Sequence, residues 1–143
     1  MFLHESGWLE VYNIAMDSSS VANRTYNKIK TYRDFSLPKA KFSSVRVKYL
    51  VKTIDYLNDY GKVYLIRLPI HKGMMELEEQ LMPNFDSNIK EAIDISNGYF
   101  DMTIQNDSFE YTDGNHLYKT SGAKVSAEVA NWIKTKERAH NNM

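Results

Sequence analysis

The nine residues "KVYLIRLPI", Lys62 to Ile70, constrain this chain more than any other stretch. They are apolar at nearly every position instead of alternating, as a strand covered on both faces is, and Pro69 ends the run because proline cannot donate to a ladder. Just upstream, Val47, Leu50, Val51, Ile54 and Leu57 fall at i, i+3, i+4, i+7 and i+10 within Val45–Tyr60, one stripe of a helix. Gly61 stands where a left-handed helix C-cap is expected. A helix that feeds directly into a strand buried on both faces predicts a parallel sheet flanked by helices, the α/β class.

The alternation continues downstream. Met74–Met82 reads as a short helix stopped by Pro83, and Phe85, Ile89, Ala92 and Ile93 form a second stripe ending near Gly98. "YFDMTI", Tyr99 to Ile104, is the next predicted strand. A last helix opens near Thr120 or Ser121 and places Val125, Val129, Trp132 and Ile133 on one face, before a polar tail "KTKERAHNNM" expected to fray. Towards the N-terminus, "LEVYNIA" (Leu9 to Ala15) is β-prone, "VANRTYNKIKTYRDF" fits a helix or an irregular polar segment, and "SLPKAKFSS" is a connector whose Ser43 or Ser44 can cap the helix beginning near Val45.

The expected organisation is a single α/β domain of the flavodoxin-like three-layer kind, with residues 1–43 an irregular segment carrying one strand. Sheets of about three strands leave an edge that proteins usually cover or pair, so the sheet is expected to be incomplete and to favour a homo-oligomer.

Among 143 residues the hydrophobic fraction is 43%, enough for a core, and 18 basic residues offset 18 acidic ones. Without a global field, neither nucleic acid nor an anionic membrane is an expected partner. The absence of cysteine excludes thiol catalysis and disulfide scaffolds. "MFLHESGWLE" carries Glu5 and Glu10 where a signal peptide needs an unbroken apolar core, so the chain as written is expected in the cytoplasm. His4, His71, His116 and His140 show no metal-ligand spacing, and no Gly-rich phosphate loop occurs, so neither metal nor cofactor is expected. "MMELEEQLM" reads as core filling with a solvated acidic face, or as a lid. Trp8, Tyr12, Tyr111 and Tyr118 lie near predicted loops, where aromatic rings either stack on sugars or pack at the core margin.

Ligands of open α/β sheets bind beyond the carboxyl ends of the strands. His71 and Lys72 come after one predicted strand, and "YTDGNHLYKTSG" comes after the other. Within that loop, Asp113 stands three residues before His116. A histidine activates a hydroxyl only when its second ring nitrogen is held by an acceptor, a role that Asp113 fits. Equally, Asp-Gly is a common turn dipeptide and Asn115 suits a left-handed position, so the same residues describe an ordinary polar turn.

"YTDGNHLYKTSGAKVSAEVANWI" resembles the last signature block of the SGNH (GDSL-type) hydrolases, in which a D-x-x-H-L loop precedes a small-residue step and the C-terminal helix. "YLVKTIDYLNDYGKVYLIRLPI" and "GYFDMT" are similar to the preceding helix and strands, so the resemblance covers roughly Ser44 to Lys134. It implies a Ser-His-Asp esterase or deacetylase acting without metal on a small-molecule or carbohydrate ester, with Asp113 orienting the imidazole and His116 as base. The nearest match to the family's strand-G-D-S block is "LEVYNIAMDSSS", with Met16 in place of glycine and Ser18 as the nucleophile. The blocks that supply glycine and asparagine oxyanion donors have no clear match, and "YLND" at Tyr56–Asp59 reads as a solvated helix end. The resemblance therefore implies the carboxyl-terminal portion of a longer SGNH protein, or a shortened relative. The rival is a non-catalytic α/β binding or assembly module with a degenerate site.

Overall fold

The computed structural model describes residues 1–5 and 9–141, the side chains of residues 9, 10, 140 and 141 excepted. In chain order they form β1 (Phe2–Leu3), β2 (Leu9–Glu10), α1 (Ser18–Thr31), a π-helical turn (Tyr32–Ser36), a 3-10 turn (Leu37–Lys39) and α2 (Ser44–Asn58). Next come β3 (Tyr64–Arg67), α3 (Lys72–Leu81), α4 (Phe85–Asn88), α5 (Lys90–Ile95), β4 (Gly98–Asp101), a 3-10 segment (Thr103–Ser108) and α6 (Lys119–Asn141).

The central pair is parallel, as expected: β3 runs beside β4 in the register Tyr64–Gly98 to Arg67–Asp101. Its entrance is locked by Asn97, whose backbone N–H donates to Val63 O and whose Oδ1 accepts from Val63 N–H, both at 2.7 Å. Alternate side chains face opposite ways. Ile66 and Phe100 pack on the buried cluster of Met102, Phe109, Tyr111 and Val125, joined by Val129 of α6. Trp132 of the same helix stacks on Phe100 at 5.2 Å and meets Tyr64 edge-on at 5.6 Å. The other face, with Leu65, Arg67 and Tyr99, shares a hollow with Leu50 of α2 and with Phe85 and Ile89. The chain is thus of mixed helix and strand with a small parallel sheet.

The sequence-based stripes are largely met. On α2 the stripe faces inward through Ile54, which is 2% exposed, and Ser43 caps the helix by accepting from Arg46 N–H. Burying such a side chain is worth about 1.5–3 kcal/mol. Val125 of the last stripe is buried as well.

Several expectations are corrected. "LEVYNIA" is not one strand: only Leu9–Glu10 pairs, antiparallel with Phe2–Leu3. Asn13 then takes the left-handed region at φ 59°, which an extended strand cannot accommodate. Residues 1–43 are not irregular, since α1 spans fourteen of them. Its start is fixed by Asp17, whose Oδ1 accepts from Ser20 N–H at 3.0 Å and from Ser19 Oγ at 2.6 Å.

The sheet of β3 and β4 has two strands, and β3 is half-buried with Leu68 just beyond it 54% exposed, so coverage on both faces is partial. "YFDMTI" leaves the strand at Asp101, because Asp101 Oδ1 accepts from the backbone N–H and hydroxyl of Thr103 and starts the 3-10 segment instead. Gly61 does not adopt a left-handed conformation; α2 closes through Tyr60 and Gly61 N–H groups donating to Leu57 O. The expected fraying tail is helical to Asn141. Trp8 and the last two residues lie outside the described ones. Among the described residues, no helix is long and apolar enough to cross a membrane.

Candidate functional site

The loop between the 3-10 segment and α6 is a narrow hairpin. Tyr111 and Leu117 bridge antiparallel, Thr112 N–H donates to His116 O at 2.8 Å, and Tyr118 N–H donates to Glu110 O at 2.8 Å. Its tip is Asp113-Gly114-Asn115. Gly114 sits at φ 85°, where a side chain would be strained, and an added Cβ would meet Thr25 Cγ2 at 3.3 Å.

Asp113 Oδ1 accepts from the N–H groups of Asn115 and His116, each at 3.0 Å, which builds the turn. The same carboxylate lies 3.0 Å from His116 Nδ1 through both oxygens. Lys28 Nζ of α1 adds an ion pair at 3.2 Å to Oδ2. Burial pushes the Asp113 carboxyl up, but the two amides, the imidazole and the Lys28 ammonium outweigh it and hold the pKa at about 2. Asp113 is therefore ionised at neutral pH. His116 is 68% exposed, and its Nε2 has no hydrogen-bond partner among the described residues. With Nδ1 engaged by the carboxylate, the ring's lone pair is left at Nε2.

Helix α1 and the π-helical turn that continues it clamp this loop with residues four apart. Arg24 Nε donates to Thr112 O at 2.8 Å, Lys28 pairs with Asp113, and Asn115 Nδ2 donates to the Tyr32 hydroxyl at 3.4 Å. Spacing of i, i+4 and i+8 puts three side chains on one side of a helix. From the opposite side, His71 N–H donates to Gly114 O at 3.1 Å. The two loops that the sequence placed at the carboxyl edge of the sheet do meet there.

Ser18 is the first residue of α1 and lines a hollow with Thr25, His71 and Tyr111. No hydrogen bond joins Ser18 to His116 among the described residues. The carboxylate beside it, Asp17, is spent on the helix cap, and the Ser19 hydroxyl together with the Ser20 amide holds it well below the usual carboxylate range. His71 lines the same hollow, but its Nδ1 accepts from Gly73 N–H at 3.1 Å, so the neutral ring carries its proton on Nε2 and has no free lone pair to act as a base there. The buried Tyr111, whose hydroxyl donates to Asn106 O, has its phenol pushed up to about 12 by burial and by Asp107. Among the described residues, no group of three or more histidine, aspartate and glutamate side chains is placed to hold a metal.

Arg24, Lys28 and Tyr32 were not singled out by sequence reasoning. Their signal was present as a polar i, i+4, i+8 series beside the apolar Val21 and Ile29, but nothing in the sequence tied it to a loop 88 residues away. No family model matches this sequence, no curated protein is similar to it, and no solved structure resembles it.

Proposed function

We propose that Asp113 and His116 are the acid–imidazole half of a Ser-His-Asp ester hydrolase site, in a domain similar to the carboxyl-terminal part of the three-layer SGNH fold. The observation that carries this reading is the 3.0 Å contact of both Asp113 oxygens with His116 Nδ1 on a ring that is otherwise exposed. In that state His116 Nε2 takes the proton of a serine hydroxyl as the oxygen attacks the ester carbonyl carbon. The imidazolium, stabilised by Asp113, then returns that proton to the departing alcohol oxygen, and water repeats the sequence on the acyl-enzyme. Ser18 is the nucleophile candidate within the sequence. The alternative form of the same reading takes the serine from outside it, which agrees with Ser18 sharing a hollow with His71 and not with His116.

A second reading has one observation in its favour. Asp113 accepts two backbone N–H groups of its own turn, so it also serves as a turn-former in a non-catalytic module. A fluorophosphonate probe followed by mass spectrometry separates the cases, because it captures only a serine activated by a neighbouring base. Labelling at Ser18, Ser19 or Ser20 that disappears in His116→Ala, together with hydrolysis of p-nitrophenyl acetate, is the expected result for a self-sufficient hydrolase. Absence of both in a folded protein removes that form and leaves an external serine or a structural loop.

Self-association belongs to the same reading. Val63 and Arg67 carbonyls point towards β4, so the intervening Tyr64 and Ile66 backbone groups point to the other edge of β3, which pairs with no strand among the described residues. Light scattering at micromolar concentration is expected to find a species larger than the monomer; a clean monomer contradicts it.

A further inference from the structure

The balanced total charge conceals a local excess. Six of the 18 basic residues, Arg33, Lys39, Lys41, Arg46, Lys48 and Lys52, lie within twenty residues that hold only one of the 18 acidic ones, Asp34. All six are exposed, and none makes an ion pair among the described residues, whereas Lys28, Lys62, Arg67 and Lys90 are each paired with a carboxylate. The stretch runs from the π-helical turn through the 3-10 turn into the first half of α2, and Asp55 and Asp59 bound it on the far side.

Two features set this stretch apart from an ordinary solvated face. Arg46 and Lys48 stand in the first two turns of α2, whose first turn has no acid, so they oppose the helix dipole and repel one another. An anion against them relieves both costs. Exposed rings are also interleaved with the charges: Phe35, Phe42 and Tyr49. On α2 ring and cation are neighbours, since Lys52 Nζ lies 5.7 Å from the centre of the Tyr49 ring. Lys48, Tyr49 and Lys52 share the side of the helix turned away from Leu50 and Ile54, which face inward.

This composition selects among anionic partners. A membrane surface needs the apolar face of an amphipathic helix, and that of α2 is already covered through Ile54. Protein interfaces are depleted in lysine, which supplies four of the six charges. Duplex nucleic acid offers phosphates but keeps its base faces stacked on one another. A single strand offers phosphates to the cations and free base faces to the rings.

We infer that the exposed surface between Arg33 and Lys52 binds single-stranded nucleic acid, with the basic side chains on phosphates and Phe42 and Tyr49 stacked on bases. The expectation that nucleic acid is no partner rests on the chain-wide total. At physiological salt a phosphate within about 8 Å of these side chains meets the local excess instead. The inference is independent of the hydrolase reading, because Lys28, which holds the hairpin, takes no part in it.

Fluorescence anisotropy tests it, with labelled oligo-dT and oligo-rU of about 15 nucleotides, the span of a single-strand site, titrated with the full chain. A Kd of about 1–100 μM at 0.1 M salt is expected, with log K falling against log salt at a slope of about −2 to −4. Phe42→Ala and Tyr49→Ala are each expected to weaken binding about fivefold or more, and Lys48→Gln combined with Lys52→Gln to flatten the slope by about 1.4. Lys124→Gln combined with Lys134→Gln, the same charge removed from exposed positions on α6, leaves binding unchanged, as does His116→Ala. Circular dichroism confirms that each variant is folded. Binding of either strand at the expected strength supports the inference, and the tighter of the two tells RNA from DNA.

No binding up to about 1 mM overturns it, as does a duplex bound as tightly as the strands or indifference to both ring variants. Phosphatidylserine vesicles bound in place of the oligonucleotides assign the surface to a membrane. Self-association at low salt that the Lys48/Lys52 variant abolishes, with no oligonucleotide bound, assigns it to the acidic remainder of a second copy.

Discussion

Lys28 Nζ lies 3.2 Å from Asp113 Oδ2, so the carboxylate that faces His116 is also fastened to α1. Both side chains are partly exposed, at 30% and 20%. Replacing Lys28 with methionine is expected to cost about 0.5–1 kcal/mol in urea unfolding, a loss that shrinks at high salt as screening weakens the pair in the unmodified protein.

The depressed Asp113 pKa also has a pH signature. Because the folded-state value of about 2 lies below the ordinary carboxylate value of 3.8, its stabilisation is complete above that ordinary value and is lost as pH falls through about 2. Urea unfolding of the wild type and of Asp113→Asn between pH 6 and pH 2 is expected to give a stability difference that is largest at the upper end and narrows towards the lower. A constant difference would mean that the carboxylate's charge has no part in holding the hairpin.

Gly98 opens β4 directly under the indole. A Cβ there would lie 2.9 Å from Trp132 Cη2 and 3.3 Å from Cζ2. Gly98→Ala is expected to destabilise by about 1–3 kcal/mol through overpacking, with a change in Trp132 fluorescence. Unaltered emission and melting temperature would show that the indole shifts freely.

Met102 has no exposed surface and anchors the cluster beneath the hairpin. Met102→Ala is expected to cost about 2–5 kcal/mol in chemical denaturation. His116→Ala, by contrast, removes an exposed ring and is expected to change stability by less than about 0.5 kcal/mol. That contrast lets a loss of turnover be assigned to the imidazole itself.

Helices α2 and α6 were legible in the sequence because each buries a stripe whose period matches its geometry, and the parallel strand pair was legible from its continuous apolar run, although its residues are only half-buried. Ile54 and Val125 sit where those stripes place them. The ends were less legible, for they depend on single polar side chains: Asp101 turning the chain into a 3-10 segment, Asn97 closing the start of β3, Asp17 opening α1. The Asp113/His116 proximity was readable from spacing three along a tight turn. The clamp by α1 was not, because Arg24 and Lys28 look like ordinary solvated residues until the hairpin docks on them.

That docking makes the acid–imidazole pair sensitive to helix phase. Thr112 and Asp113 are held by successive turns of the N-terminal helix and Asn115 by the first residue of the π-helical turn that continues it, as teeth on a rack. A single residue inserted between Arg24 and Lys28 would swing the later contacts by about 100° around the axis while leaving the hairpin sequence untouched. Helix-length variation in this segment is therefore coupled to the geometry of a site encoded far downstream.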